Sequence, residues 1–101
     1  MRPTEKSTAG TSFHNTVLVA TINDLKKVLG EPIYVDNTGD DKVNYEWNGE
    51  TESGKVFTVY DWKEYHPLSN TEDIRWYIGG FNFMDTIEAH DEIIEAIIKI
   101  S

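Results

Sequence analysis

Seven residues have the types and setting to hold a small anion against a flat ring: Lys42, Trp62, Lys63, Arg75, Tyr77, Gly79 and Gly80. Ammonium and guanidinium groups neutralise negative charge through charge-assisted hydrogen bonds. An indole or phenol ring gives a planar ligand or a cation a face to lie on. The chain has 9 Lys and Arg against 18 Asp and Glu, so the placement of its cations is informative. Lys42, Lys55, Lys63 and Arg75 all fall in or beside aromatic-rich segments that hold Tyr60, Trp62 and Tyr77. The competing reading pairs those cations across strands with Glu46, Asp61 and Glu64. Gly79-Gly80 follows one such segment and precedes a helical pattern. It would admit a phosphate to bare backbone amides or simply turn the chain, and it lacks the G-x-G-x-x-G and G-x-x-x-x-G-K patterns.

Other chemistry finds little support. Asp40, Asp41, Asp61 and Glu64 could suggest a cation site, but D-N-T-G-D-D (Asp36 to Asp41) lacks the spacing and bidentate Glu of a calcium loop and reads as a solvated turn. His14, His66 and His90 are scattered without metal-ligand spacing. There is no cysteine, no G-x-S-x-G elbow and no Ser near a His in a familiar arrangement. Glu46 and Asp61 could form a carboxylate pair for glycoside chemistry, although such pairs arise by chance in an acidic sheet. The expectation is binding without catalysis, metal or cofactor.

The elements that must position these residues are legible from periodicity. Lys42–Trp47 (K-V-N-Y-E-W), Lys55–Glu64 (K-V-F-T-V-Y-D-W-K-E) and Ile74–Gly80 (I-R-W-Y-I-G-G) read as successive strands, and they hold all three tryptophans. In the second, Phe57 and Val59 alternate with Val56, Tyr60 and Trp62, the pattern of a central strand covered on both faces. Phe13–Ala20 could add an edge strand. Thr21 opens a short helix whose apolar face is Ile22, Leu25, Val28 and Leu29, closed by Gly30 and Pro32. A longer C-terminal helix carries Ile87, Ile93, Ile94, Ile97 and Ile98 on one stripe, with Asn82–Asp85 or Asp85–Glu88 as its cap pair. The predicted architecture is a two-layer α+β domain: an antiparallel meander of three to four strands with both helices packed on the sheet. Residues 1–11 are expected to be a flexible arm and residues 12–101 a single domain.

Bulk composition narrows the partners. A formal charge of −9 repels a phosphate backbone, which excludes sequence-independent duplex binding. The absence of cysteine suits a reducing cytoplasm. Neither a signal-peptide h-region nor a membrane-length apolar run is found, and a soluble, cytoplasmic protein is expected. Aromatic surface left over by two helices would favour a homodimer.

In combination, L-G-E-P (Leu29 to Pro32), K-V-x-x-E-W, V-F-T-V-Y-D-W-K-E and W-Y-I-G-G resemble a family of small, largely uncharacterised tailed-bacteriophage proteins over Phe13 to Gly80. Tyr77 stands where that family's last strand carries His, so no imidazole role carries over. The resemblance brings no family-wide activity. It implies a phage setting, in which small accessory proteins act by binding: blocking host enzymes, blocking defence systems or sequestering defence nucleotides. The first functional expectation is sequestration of a small anionic ligand, such as a nucleotide second messenger, in the host cytoplasm. The alternative is an acidic inhibitor of a host enzyme or defence factor, with DNA mimicry as its extreme.

Overall fold

Alternation in the aromatic segments has one geometric consequence: every second residue must leave water together. The computed structural model, which describes residues 1–100, meets this with one antiparallel sheet backed by two helices. In chain order the elements are β1 (Ser12–Ala20), α1 (Ile22–Leu29), β2 (Tyr34–Val35), β3 (Tyr45–Glu50), β4 (Val56–Tyr60), β5 (Ile74–Gly80) and α2 (Phe83–Ile100). Across the sheet the order is β1-β5-β4-β3-β2. The α+β fold matches expectation, with five strands in place of three or four. β3, β4 and β5 form the meander, β1 returns to pair with β5, and the two-residue β2 pairs with the start of β3.

One face is the core. Trp47, Val59 and Ile78 are cross-strand neighbours, as are Leu18 and Trp76, and all five are buried. Trp47 and Trp76 meet edge to face at 5.4 Å. Each indole N–H finds a carbonyl, Gly30 O at 2.8 Å and Ala20 O at 2.9 Å, so neither ring buries an orphan donor. β4 is central, but helices cover only this one face. On the other, Tyr60 stays half-buried beside neighbouring rings.

Helix α1 begins as its sequence dictates, with the Thr21 hydroxyl accepting from Asp24 N at 3.0 Å. Gly30 ends it with φ +82° and donates its amide to Lys26 O. For α2 the cap is Asn82, whose side chain accepts from Asp85 N at 2.9 Å. Its inward residues include the small Thr86 and Ala89 as well as Ile93, which lets the helix sit close to β1 and β5. The isoleucine stripe is wider than the sheet can cover, and Ile98 is left 67% exposed.

Gly79-Gly80 does not break its strand; both residues lie inside β5, paired with Phe13 and Ser12 on one side and Thr58 and Phe57 on the other. The reason is space. A side chain at Gly79 would collide with the Thr58 hydroxyl, and one at Gly80 would come within 2.9 Å of Thr86 Cγ2. At the N-terminus, Arg2 makes a two-way backbone bridge with Glu50 (3.0 and 2.9 Å), and the Arg2 and Lys6 side chains both ion-pair with the Glu50 carboxylate.

Candidate functional site: an aromatic cleft on the open sheet face

The register that buries the tryptophans of β3 and β5 puts the intervening residues on the opposite face. Glu46, Tyr60, Tyr77 and Val17 lie in one row across β3, β4, β5 and β1. Phe13 packs edge-on against Tyr77 at 5.1 Å, Tyr77 stacks with Tyr60 at 6.0 Å, and Tyr60 meets Trp62 edge-on at 6.3 Å. These four rings line an open cavity of about 340 Å³. A second cavity of about 410 Å³ adjoins it, lined by Tyr34, Asp41, Lys42, Val43, Glu46 and again Trp62. Trp62 is therefore the wall shared by both.

Two ammonium groups flank that wall. Lys42 Nζ lies 5.8 Å and Lys63 Nζ 5.7 Å from the Trp62 ring centroid, within cation–π range. The backbone fixes this arrangement. Lys63 N donates to Lys42 O at 2.7 Å, tying the segment after β4 to the segment before β3. Lys63 takes φ +57° and Tyr65 φ +54°, left-handed values uncommon for residues with a side chain, as the chain bends away from the sheet. Beneath the bend, Asp61 is wholly buried. Its Oδ1 accepts from Asn44 N (2.9 Å) and Tyr45 N (2.8 Å), and its Oδ2 from Asn44 Nδ2 (3.0 Å). Asn44 in turn accepts from Gly39 N at 3.1 Å and donates to His66 O at 3.2 Å.

Asp61 is thus neither a cation ligand nor a partner for a cross-strand lysine; it is the internal acceptor that holds two loops together. Among the described residues, none of Lys42, Lys63 and Arg75 has a carboxylate within ion-pair distance. The cross-strand neutralisation weighed from sequence does not occur, and all three cations remain available.

Of the seven predicted residues, the structure brings Lys42, Trp62 and Lys63 together directly, with Tyr77 joined through Tyr60. Arg75 is exposed on the same face, opposite Val19 of β1. Gly79 and Gly80 lie at the far end of β5, buried and paired on both sides, away from the lysines. Sequence reasoning missed Phe13, Tyr34 and the Asn44–Asp61 scaffold. Alternation of Phe13, Val17 and Val19 along one strand was the only signal in the sequence, and it is interrupted by an irregularity at Asn15 (φ +68°); that this face meets Arg75 and Tyr77 follows only from the pairing of β1 with β5.

The electrostatics of the cleft are mixed. Burial raises the Glu46 carboxyl above its ordinary value, and burial first, then Glu46 and Tyr77, raises the Tyr60 phenol. The raised Tyr60 phenol keeps its proton, so the rings present an uncharged stacking surface, while Lys42 and Lys63 supply positive charge beside the carboxyl groups of Asp41 and Glu46. Among the described residues no group of three His, Cys, Asp or Glu converges as a metal site, and no helix is long and apolar enough to cross a membrane. The chain matches no protein-family model, no curated protein and no solved structure at a significant level.

Proposed function

We propose that this is a phage accessory binding protein that sequesters a small, planar, anionic ligand, with a nucleotide as the best-fitting class, in the aromatic cleft of its open sheet face. The observation that carries the reading is Trp62 flanked by two ammonium groups that have no carboxylate partner. A base stacked on Trp62 beside Tyr60 and Tyr77 gains the face-to-face contact that aromatic platforms offer any nucleobase. Its phosphate would then lie within reach of Lys42 and Lys63, with Arg75 on the same face. Both cavities are open and walled by aromatic rings, which suits holding a planar ligand. The phage setting comes from the sequence resemblance.

Calorimetry with Lys63→Ala and Arg75→Ala tests the assignment. Each change removes a charge-assisted contact of about 1.5–3 kcal/mol, so affinity for mono-, di- or cyclic nucleotides should fall by about 10-fold or more. Both side chains are exposed, so the fold should persist. If no nucleotide binds while the wild type captures a host enzyme or defence factor, the acidic-inhibitor reading takes its place.

A further inference from the structure

We infer that the outer edge of β1, together with the outer flank of α2, is a homodimer interface at which two copies join into one continuous ten-stranded sheet. β1 is an edge strand, and among the described residues no backbone hydrogen bond reaches it from the side away from β5. Such edges are ordinarily guarded by Lys, Pro or a charge. Here the nine residues S-F-H-N-T-V-L-V-A include no Asp, Glu, Lys, Arg or Pro, although 27% of the chain is charged. The bulge at Asn15 disrupts the first part of the edge and leaves Val17–Ala20 regular. Val19 is 60% exposed. The opposite edge of the sheet is different: β2 covers the start of β3, and Arg2 bridges its end at Glu50.

Helix α2 supplies the second layer. It packs over β1 and β5, and its Glu88 and Glu92 side reaches the β3–β4 hairpin. There Glu88 accepts from Thr51 and Ser53, and Glu92 accepts from Glu52 N. At about 100° per residue, Phe83, Ile87, Ile94 and Ile98 fall within about 60° of arc, on the flank opposite those glutamates; Ile94 still packs against the core, while the others extend the stripe outward. Phe83 and Ile98 are exposed, and Ile87 and Ile94 half-buried. One carboxylate borders this stripe, Asp91, which lies 3.0 Å from His90.

The occupant is a second copy because the surface is complementary to itself. A free strand edge is satisfied by another strand edge, and antiparallel pairing of β1 with its own copy about a two-fold axis brings the two α2 stripes side by side. A chain of charge −9 repels its own copy everywhere except where charge is missing, and the β1 edge with the α2 flank is such a place. The aromatic clefts stay open and face the same side of the joined sheet. The inference therefore stands independently of what the clefts bind.

Sedimentation velocity and light scattering on the full chain, from micromolar to several hundred micromolar, test this. The expected species has twice the 11.6 kDa monomer mass. Ile98→Glu, at an exposed helical position, should give a folded monomer by circular dichroism, whereas Trp62→Ala should leave the dimer intact. Independently of any variant, the amides of Val17–Val19 should exchange more slowly with deuterium at high protein concentration than at low. A monomer at every concentration overturns the inference. So does a dimer that Trp62→Ala disperses, or one in which Ile98→Glu and the β1 amides change nothing.

Discussion

Replacing Asp61 tests how the fold delivers the cleft. The carboxylate is wholly buried and accepts three hydrogen bonds, at 2.8, 2.9 and 3.0 Å, from Tyr45 N, Asn44 N and Asn44 Nδ2. Hydrogen bonds to a charged group contribute about 1.5–3 kcal/mol each, and every buried donor left without a partner costs about 1–3 kcal/mol. Removing the acid also removes the cost of burying it, so the full sum is not lost. Asp61→Ala should cost about 3–5 kcal/mol, in line with leaving buried polar partners unmatched. Asp61→Asn keeps one acceptor oxygen for the two backbone amides but sets an NH₂ against Asn44 Nδ2, so the cost should be about 1–3 kcal/mol. With a urea slope of about 1–3 kcal/mol/M, Asp61→Ala should lower the denaturation midpoint by about 2 M, followed by tryptophan fluorescence. The same change should loosen the Lys63 N to Lys42 O tie and weaken ligand binding at temperatures where the variant is folded. The reasoning fails if Asp61→Ala costs less than about 1 kcal/mol, or if the Asn variant is the less stable of the two.

Other consequences follow from the same packing. Trp47→Ala or Trp76→Ala should cost about 3–5 kcal/mol, read from denaturant midpoints, because each empties the buried face and strands a carbonyl. Gly80→Ala should destabilise by about 1–3 kcal/mol through overpacking on Thr86 Cγ2. Adding Thr86→Ser, which removes that methyl and keeps the hydroxyl bonded to Thr16 and Phe83 O, should recover most of the loss in a double-mutant cycle. Hydrogen bonds from Thr51 and Ser53 hold the Glu88 carboxyl below its ordinary value, and Lys6, then Arg2, do so for Glu50. The unfolded chain takes up those protons first. The stability these groups add is complete above the ordinary glutamate value of 4.5 and is lost as pH falls through their lower folded values. Acid titrations of Glu88→Gln should show a shallower loss. Glu46 has the opposite sign, since burial raises it. Glu46→Gln should therefore stabilise the protein at pH 7 and, by removing a negative charge beside Lys42 and Trp62, tighten anion binding.

Local rules written in consecutive residues were readable without coordinates. Period-two alternation gave the core parity of Trp47 and Trp76, the Thr21 cap gave the start of α1, and the apolar spacing gave both helices. Long-range pairing was not written that way. Two residues are too few to announce β2, and nothing in Gly79-Gly80 separates a turn from a strand that needs room for Thr58 and Thr86. Asp61 looked like one more surface acid because its donors, Asn44 and Tyr45, lie across a hairpin. The cleft was half legible. Trp62, Lys63 and Tyr77 were found from aromatic and cationic clustering, whereas Phe13 depends on β1 returning to pair with β5, a choice made by tertiary packing.

Trp62 is the wall common to both cavities and the ring both lysines approach, so its removal bears most directly on the proposed site. Wild type and Trp62→Ala should be titrated calorimetrically against one panel of mono-, di- and cyclic nucleotides, with thermal melts run in parallel. The account predicts that at least one nucleotide binds the wild type and that Trp62→Ala weakens it by about 5- to 150-fold, the equivalent of about 1–3 kcal/mol of stacking. The melting temperature without ligand should barely move, because the side chain is 41% exposed. A panel that releases no heat and shifts no melting temperature, or a Trp62→Ala variant that binds as tightly as the wild type, contradicts it.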